Sequence, residues 1–337
     1  MSESVSLPSL AWSLEYINAI NAEIDSVCGT DPSGIGILVR EAISSGRRTR
    51  AILAMLWCEA LSGDYKSAIP IAAAYELAHA AALLEDDIID GSRSKLGQDT
   101  FQVKYGIPRT LLVSNTLLFY APSLISRYAH TGKDFRVVEK LLGLLGDCGR
   151  LSAKGEFLDL EMAQMDDVPE TLYEKMISMK TGALVGASSA SGALIGDPNF
   201  DPNTIEAAYS FGESLGIAYQ IWDDLQDYFG DESTSGKTLF WDLQNGKKSL
   251  PLIHTLKLAT RDERDFVQQI LRGSESLTNT REAEVRAIVQ KYGSQDYCRE
   301  IAMKYVRKAE LSLSVVRNGS TAKNRLYEII QYLSHKN

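Results

Sequence analysis

The chain consists of long segments with a helical repeat of apolar residues, separated by short polar breaks. In residues 71–89 and 135–165, apolar side chains recur at i, i+3, i+4 and i+7, the spacing of one face of an α-helix. The alternating pattern of a β-strand does not persist along the chain. Good helix formers dominate the same segments. We therefore expect an all-α protein.

Prolines and polar stretches indicate where the helices end. Residues 71–84 are apolar nearly all round and rich in alanine, which is typical of a central helix packed closely by its neighbours. The polar stretches at 91–99, 196–203 and 230–246 are predicted loops, and the last is long enough to suggest a function. We find no internal repeat. Residues 1–337 are expected to form a single domain, a helical bundle.

Composition and charge exclude several classes of protein. The 337 residues are 45% hydrophobic, which is enough for a large core, and their net charge of −9 argues against a nucleic-acid partner. No uninterrupted apolar run is long enough for a transmembrane segment, and the N-terminus does not resemble a secretion signal. The four cysteines are scattered without disulfide or metal-ligand spacing. We expect a cytoplasmic protein with reduced thiols and no zinc.

Two aspartate clusters are the strongest chemical signal. The pattern Asp-Asp-x-x-Asp occurs at residues 86–90 and again at 223–227, each time after an unusually apolar helix. On a helix, the first and last aspartates of a cluster lie one turn apart on one face, where their carboxylates repel unless a cation compensates. Mg²⁺ prefers oxygen ligands and commonly bridges carboxylates to phosphates. One cluster alone is as easily a solvated acidic helix end, but two favour a metal site. The predicted ligands are Asp86, Asp87, Asp90, Asp223, Asp224 and Asp227.

A diphosphate held by such metal ions would also need cationic side chains. Several lysines and arginines lie beside glycines or beside the aspartate clusters. Taken singly, each is more often a solvated surface charge. The candidates are Arg47, Arg48, Arg50, Arg93, Lys95, Lys180, Lys237, Lys247 and Lys248.

Four further motifs accompany the aspartate clusters, in a fixed order along the chain. They are GRRTR at 46–50, Lys180-Thr181, Tyr219-Gln220 and GKKSLP at 246–251. With these motifs the chain resembles the trans-isoprenyl diphosphate synthases, or polyprenyl synthetases, which include the farnesyl and geranylgeranyl diphosphate synthases. The resemblance implies a helical bundle of the isoprenoid synthase type with a central active-site cavity, and usually a homodimer.

The resemblance also implies a reaction. An allylic diphosphate ionises, the double bond of isopentenyl diphosphate attacks the allylic carbon, and a proton is lost. The implied cofactor is Mg²⁺, three ions with bound diphosphate, which stabilises the charge of the departing group. The product is an all-trans polyprenyl diphosphate.

Residue roles follow from the same matching. Lys180 and Lys237 match residues that neutralise the allylic diphosphate, and Thr181 and Gln220 match groups near the developing carbocation. The substrate-binding residues implied are Gly46, Arg47, Arg50, His79, Arg93, Lys95 and Lys247. Taken alone, His79 would more simply be a buried histidine in an alanine-rich helix.

The chain departs from the family after the first aspartate cluster. Two arginines and a glycine are usual there, and this chain has Lys95-Leu96-Gly97. Leucine has neither the charge nor the paired donors of arginine, so isopentenyl diphosphate would lose about 1.5–3 kcal/mol, or roughly ten- to a hundredfold in affinity. Arg93 is a candidate to compensate. Phe240-Trp241 replaces a glycine of the family's loop, either as part of a lid or packed against the protein.

Product length in this family depends on bulk along the helix before the first cluster. Ala82, Ala81 and Ala78 leave that wall open, and Tyr75 is the next large residue. At 1.5 Å per residue, Tyr75 lies roughly 16 Å from Asp86, deep enough for about twenty carbons. We expect a C20 or longer product. Alternatively, the alanines allow close helix packing and another helix supplies the floor.

Three functions compete. A trans-prenyltransferase using an allylic diphosphate and isopentenyl diphosphate is the leading hypothesis. A terpene cyclase or lyase would ionise an allylic diphosphate without isopentenyl diphosphate, and Leu96 favours it. A non-catalytic partner subunit of an active synthase would require neither aspartate cluster, and both clusters are intact.

Overall fold

The structure, a computed structural model, describes residues 11–95, 97–129, 135–230, 239–273 and 277–334. It is 81% helical with almost no strand, which confirms the predicted all-α class. Its α-helices are α1 (Ser13–Cys28), α2 (Gly34–Ile43), α3 (Thr49–Ser62), α4 (Ile69–Ile89), α5 (Phe101–Tyr105), α6 (Ile107–Ala129), α7 (Phe135–Ala163), α8 (Glu170–Ile177), α9 (Ala183–Gly196), α10 (Pro202–Phe229), α11 (Trp241–Gln244), α12 (Leu250–Leu258), α13 (Arg261–Leu271), α14 (Asn279–Lys291), α15 (Ser294–Ser312) and α16 (Thr321–Ser334).

Local sequence explains several helix starts. The Ser33 hydroxyl accepts a hydrogen bond from the Gly36 backbone at the start of α2. At the start of α10 the Asp201 side chain accepts a hydrogen bond from the Asn203 backbone N–H. The first residue of α10 is Pro202, and proline is favoured at the first position of a helix. Thr260 and the residue three positions later form a capping box before α13. Of these three starts, that of α10 falls within the predicted polar break at 196–203.

Small residues let the central helices approach each other closely. Helix α9 is buried almost throughout, and it packs against α3, α7 and α10. A Cβ atom on Gly192 would lie 2.0 Å from the Ala54 carbonyl oxygen of α3, and one on Gly212 would lie 2.3 Å from the Val185 oxygen. These contacts leave no room for a larger residue, so they fix the spacing of the central helices.

The buried apolar residues in the described ranges form three clusters, and α10 contributes to each. Phe211 belongs to the large cluster around α3, α4 and α9. Trp222 belongs to a second cluster with α8 and α15. Tyr228 belongs to a third, with α12, α13 and α14. The second aspartate cluster therefore lies on a helix that is anchored along its whole length.

One helical segment, Lys66–Ile89, is long and apolar enough by composition to cross a membrane. Its most apolar stretch has a mean hydropathy of 1.4, and 56% of that stretch is buried inside the protein. The segment contains α4, which is interrupted by Glu76 and His79 and ends in the first aspartate cluster. Its apolar character is that of a core helix.

The predicted loop at 91–99 contains a small hairpin. Strands β1 (Ser94–Lys95) and β2 (Gln98–Asp99) pair in antiparallel fashion, and Gly97 takes a positive φ of 73° in the turn. The Gln102 side chain donates hydrogen bonds to the carbonyl oxygens of Asp87 and Ser92, at 2.8 and 2.5 Å. The hairpin is thereby tied to the first aspartate cluster. Two-residue strands are too short to produce an alternating pattern, which is why the sequence did not predict them.

Candidate active site

The two aspartate clusters are connected through the lysines of one pocket. The first lies at the C-terminal end of α4 and the second near the C-terminal end of α10. Asp224 of the second cluster lines the pocket together with Lys180 and Lys247, and each of these lysines reaches a carboxylate of the first cluster. The pocket is small, about 50 Å³. Its remaining lining includes Asp159, Tyr173, Met176, Ile177, Gln220, Asp242, Lys248 and Ser249.

Each aspartate of the first cluster pairs with a lysine. Asp90 accepts a hydrogen bond from Lys247 at 2.7 Å, and Asp86 lies 3.4 Å from Lys180. Asp87 is buried and pairs with Lys95 of the hairpin at 3.1 Å. Burial raises the pKa of Asp87, against the opposing effect of Lys95. Asp86 and Asp90 therefore contact the lysines of the pocket, whereas Asp87 contacts the lysine of the hairpin.

Two acidic residues of α7 complete the surroundings of Lys180, and neither belongs to the motifs from which the site was predicted. The Lys180 ammonium lies 2.7 Å from Glu156 and 2.9 Å from Asp159. Burial alone would lower the pKa of Lys180, but Asp159, Asp86 and Glu156 together raise it. Lys180 is therefore charged. Glu156 and Asp159 stand three residues apart, on one face of a helix, which is the sequence signal that could have revealed them.

The first cluster has the ligand set of a divalent metal site. Asp86, Asp90 and Glu156 each offer a carboxylate oxygen, and these oxygens lie within 4.8 Å of one another. All three residues are partly exposed, so a hydrated ion has access. Hard divalent cations such as Mg²⁺ prefer this all-oxygen set. The residues present fit a metal ion that retains several of its waters.

The second cluster is held by the surrounding protein. Asp224 is buried and accepts hydrogen bonds from the Tyr173 hydroxyl at 2.6 Å and the Gln220 amide at 2.9 Å. Asp227 accepts from the backbone N–H of Trp241 at 2.9 Å, which anchors the start of α11. Asp223 is partly exposed. The three aspartates thus differ in their surroundings, and Asp223 is the one that is neither buried nor tied to α11.

A further aspartate adds negative charge beside the second cluster. Burial and then the charge of Asp242 raise the pKa of Asp224 and of Asp227. The Asp242 backbone also donates to Asp227 at 3.3 Å. A divalent cation in the pocket would favour the ionised form of these carboxylates. Asp242 escaped the sequence analysis because it lies in the predicted loop, outside the aspartate pattern.

Thr181 and Gln220 are brought together by a π-helical turn. Residues Ser178–Gly182 form this turn between α8 and α9. The Thr181 hydroxyl donates to the Gln220 side-chain oxygen at 3.1 Å, and the Gln220 amide in turn donates to Asp224. The two predicted carbocation-facing residues form one hydrogen-bonded chain with the second cluster. Lys237 lies outside the described residues.

The three arginines of the GRRTR motif differ in their surroundings. Arg47 is exposed at the positive-φ Gly46, while Arg48 is buried and donates to the Ile43 carbonyl at 2.6 Å and to Asn21 at 3.0 Å. Arg48 therefore has a structural role. Arg50 points inward, and its Nε atom is buried without a hydrogen-bond acceptor among the described residues.

His79 faces the positive charges of this region. Burial, followed by the charges of Arg50, Lys95 and Arg48, lowers the pKa of His79 well below its ordinary value. The imidazole is consequently neutral near pH 7. Arg93 is exposed at the hairpin, and Leu96 lies outside the described residues.

The predicted chain-length wall is partly covered by other helices. Ala81 is fully buried, Ala78 is nearly so, and the Ser114 hydroxyl of α6 lies 3.5 Å from the Ala81 carbonyl. Ala82 stays partly exposed, on the same side of α4 as Asp86. The Tyr75 hydroxyl bonds to Ser191 of α9 at 2.8 Å. Ala78 and Ala81 thus pack against neighbouring helices, whereas Ala82 is partly exposed; the role of these residues in product length stays a prediction.

Phe240 packs inside the protein and does not form a lid. Its side chain is fully buried, makes an edge contact with the Tyr228 ring, and lies under the Arg286 guanidinium, 5.2 Å from it. Trp241 is partly exposed. Of the two alternatives for Phe240, packing against the protein is the one observed.

Comparison with known proteins identifies the family. The family model for polyprenyl synthetase matches residues 37–291. The geranylgeranyl diphosphate synthase of Sulfolobus acidocaldarius is 33% identical, over 91% of this chain and 92% of its own length. The short chain isoprenyl diphosphate synthase of Methanothermobacter thermautotrophicus is 32% identical over 86% of each chain.

Solved structures agree in fold. The crystal structure of the geranylgeranyl pyrophosphate synthetase of Pyrococcus horikoshii superposes with a TM-score of 0.87 at 28% identity, covering 96% of this chain and 97% of the other. The polyprenyl synthase of Caulobacter crescentus, complexed with calcium and isoprenyl diphosphate, gives a TM-score of 0.86 at 26% identity, covering 97% of each. From its motifs, its fold and these similarities together, the chain belongs to the polyprenyl synthetase family of isoprenyl diphosphate synthases.

Proposed function

We propose that the protein is a trans-prenyltransferase that condenses isopentenyl diphosphate with an allylic diphosphate, giving an all-trans polyprenyl diphosphate of C20 or longer. The observation that carries this proposal is that Lys180 and Lys247, which line one pocket with Asp224 of the second cluster, each pair with an aspartate of the first. The relatives named geranylgeranyl and geranylfarnesyl diphosphate synthases support the product length.

Mg²⁺ is the proposed cofactor, as three ions with bound diphosphate. Asp86 and Asp90 would hold metal on one side of the pocket and Asp223 on the other. Bound Mg²⁺ supplies positive charge to the departing diphosphate and orients it. Asp87, Asp224 and Asp227 support this arrangement through the lysine, tyrosine and backbone contacts that hold them.

The protein's own residues stabilise charge during the reaction. The bond between the allylic carbon and the diphosphate oxygen breaks, and its electrons stay with the diphosphate, beside the Lys180 ammonium. The Thr181 hydroxyl and the Gln220 side chain, which bond to each other, would place their oxygen dipoles near the electron-poor carbon. The isopentenyl double bond then forms the new carbon–carbon bond, and the released diphosphate takes up the proton that is lost from the adjacent carbon as the new double bond forms. We assign Lys237 to the allylic diphosphate by its match to the family.

The isopentenyl diphosphate site would lie beside the GRRTR motif. The buried Nε of Arg50 is a donor that has no acceptor within the described part of the chain, and the neutral His79 offers a further polar group. Gly46 and Arg47 stand at the exposed edge of this region.

A terpene cyclase or lyase is the second candidate, and one contact favours it. Lys95, the nearest counterpart of the missing arginines, is paired with Asp87 at 3.1 Å. The positive charge of Lys95 is therefore already paired with a carboxylate of the first aspartate cluster. Leu96 has no charge to offer a second diphosphate.

One incubation distinguishes the candidates. Purified protein is mixed with Mg²⁺, isopentenyl diphosphate and each allylic diphosphate from C5 to C20, and the products are separated by chain length. Longer diphosphates support the prenyltransferase, whereas a hydrocarbon or alcohol formed without isopentenyl consumption supports the cyclase or lyase. An inactive protein would indicate a partner subunit. Asp86→Asn should lose at least about a hundredfold in turnover, with Asp262→Asn on α13 as the matched exposed control.

Leu96→Arg tests the departure after the first cluster. Restoring a guanidinium beside the second diphosphate should lower KM for isopentenyl diphosphate by roughly ten- to a hundredfold, because a charge-assisted contact is added. KM for the allylic substrate should change little. A variant in which both constants stay at the wild-type value would contradict the assigned cause.

We also propose that the chain is a homodimer. Helix α6 exposes Ile107, Leu111, Leu112, Leu118 and Phe119 on one face. The neighbouring α7 exposes a stripe with large apolar residues at its ends and glycine or alanine between them: Phe135, Leu142, Gly146, Gly149, Ala153, Phe157 and Leu160. A contiguous apolar face of this kind fits a second copy of the same surface, because small residues in its middle allow two helices to approach closely.

We place this dimer in the cytoplasm, as one helical domain per chain over residues 1–337. The four cysteines are buried free thiols, which suits a reducing compartment.

A further inference from the structure

One face of α7 contacts Lys180 at four successive positions. Ser152, Gly155, Glu156 and Asp159 stand at i, i+3, i+4 and i+7, so they form a single stripe along the helix. We call these four residues the Lys180 seat. None of them lies in an aspartate cluster or in a motif that the sequence analysis used.

The seat holds both the backbone and the side chain of Lys180. The Ser152 hydroxyl donates to the Lys180 carbonyl at 3.1 Å. A Cβ atom on Gly155 would lie 2.3 Å from the Lys180 nitrogen, so the π-helical turn rests directly against α7 at this glycine. Glu156 and Asp159 then take the ammonium at 2.7 and 2.9 Å. The position of the lysine is thus determined from its main chain to its tip.

These ion pairs matter because the ammonium group of Lys180 has a limited number of N–H donors. Lysine has three N–H donors, and among the residues that the structure describes the Lys180 ammonium has three carboxylate neighbours: Glu156, Asp159 and, at a longer 3.4 Å, Asp86. Asp86 is also one of the proposed metal ligands. When Asp86 turns to a metal ion, one donor of Lys180 becomes available on the side of the first cluster.

We propose that Glu156 and Asp159 are positioning residues for diphosphate binding. They hold two donors of Lys180, so that the third is directed to the diphosphate at the first aspartate cluster. This inference rests on the proposed function, since it takes the diphosphate as the ligand. It assigns Glu156 to Lys180 rather than to the metal, because their ion pair is short and lies in the same stripe as the backbone contacts.

Positioning and simple charge repulsion predict opposite results. A carboxylate beside an anion site repels the anion, so its removal should tighten diphosphate binding if repulsion were its main effect. If the carboxylate orients Lys180, its removal should weaken binding, because the ammonium loses its fixed direction. The sign of the change therefore decides between the two.

The experiment is calorimetric titration of the full-length protein with inorganic diphosphate in the presence of Mg²⁺. Glu156→Gln and Asp159→Asn keep the side-chain shape and remove the charge, and each should weaken binding about five- to tenfold, and their combination more. Glu161→Gln, on the exposed face of the same helix, is the matched control and should bind like the wild type. The melting temperature of each variant establishes that it is folded.

A double-mutant cycle with Lys180→Ala completes the test. If the carboxylates act through Lys180, Glu156→Gln and Asp159→Asn should cause no further loss in the Lys180→Ala background. Tighter or unchanged binding by both single variants overturns the proposal, and so does a loss that persists without Lys180, which would make the carboxylates metal ligands. A wild-type protein that does not bind diphosphate with Mg²⁺ would instead refute the proposed function itself.

Discussion

At the scale of single residues, the site is organised by buried partners that the motifs do not contain. Tyr173 is the clearest case. It lies on α8, is fully buried, and donates a 2.6 Å hydrogen bond to Asp224 on α10. Burial, followed by the charge of Asp224, raises the pKa of Tyr173 well above its ordinary value, so the phenol remains a donor throughout the working range.

Tyr173→Phe should therefore destabilise the protein without changing its shape. The variant removes a buried hydrogen bond to a carboxyl group, which we expect to lower the free energy of unfolding by about 1.5–3 kcal/mol. Urea unfolding measures this change. Tyr292→Phe is the control, because its hydroxyl bonds to Glu263 near the surface and should contribute less. If both variants lost the same free energy of unfolding, the buried hydrogen bond to Asp224 would contribute no more than a surface one.

His79 provides a pH-dependent contribution to stability. Because its pKa is lowered in the folded protein, the unfolded chain binds a proton more readily below the ordinary value of about 6.5. The stability that the neutral imidazole provides is thus present above that pH and is lost as the pH falls. The loss is about 1 kcal/mol between pH 6.5 and 5.5, and at lower pH it approaches about 1.4 kcal/mol for each further pH unit.

His79→Gln isolates this contribution. The free energy of unfolding of the wild type is measured at several pH values, and that of the variant is subtracted at each. The difference should decrease as the pH falls below 6.5, while His254→Gln on α12 should leave most of that decrease in place. A difference that stays constant with pH would contradict the buried, neutral state of His79.

At the scale of helices, the fit between α7 and the π-helical turn depends on one glycine. A Cβ on Gly155 meets backbone atoms of Lys180 at 2.3 and 2.7 Å, and backbone cannot move aside as a flexible side chain can. The turn is confined on its other side as well, where a Cβ on Gly216 of α10 would lie 3.0 Å from Gly182. The turn that carries Lys180 and Thr181 is therefore held between two helices.

Gly155→Ala should separate α7 from this turn. We expect a loss of about 1–3 kcal/mol in stability from overpacking, together with weaker diphosphate binding because Lys180 is displaced. Gly143→Ala lies on the polar face of the same helix, where a Cβ meets nothing within 4 Å. It should gain up to about 1 kcal/mol from helix propensity. If Gly155→Ala also gained stability, the close approach would be refuted.

At the scale of the whole molecule, the exposed apolar face of α6 and α7 predicts the oligomeric state. Phe119 is 76% exposed and Leu112 58% exposed, values that are unusual for such large apolar side chains when they form part of one continuous surface. Phe119→Glu should convert the dimer to a monomer, because it places a charge in the middle of the apolar contact. Analytical ultracentrifugation measures the change. Lys140→Glu, on the polar face of α7, should remain dimeric, and a wild type that is monomeric at micromolar concentration would refute the interface.

Apolar periodicity predicted much of the architecture because a helix is a local structure. The repeats at 71–89 and 135–165 became α4 and α7, with boundaries that differ by two residues at most. The hairpin after the first cluster and the π-helical turn were missed. The first is too short to show a pattern, and the second differs from an α-helix only in which backbone groups are bonded.

The sequence by itself determined the helical class, the family and the identity of the two aspartate clusters, since each depends on neighbours a few positions apart. Only the tertiary structure decided how those carboxylates differ. Asp224 is buried and accepts a hydrogen bond from Tyr173. Asp87 pairs with Lys95, whereas Asp86 and Glu156 both lie beside the Lys180 ammonium. The physical reason is that burial and ion pairing arise between helices that are distant in the chain, where no local repeat reports which side chains will meet.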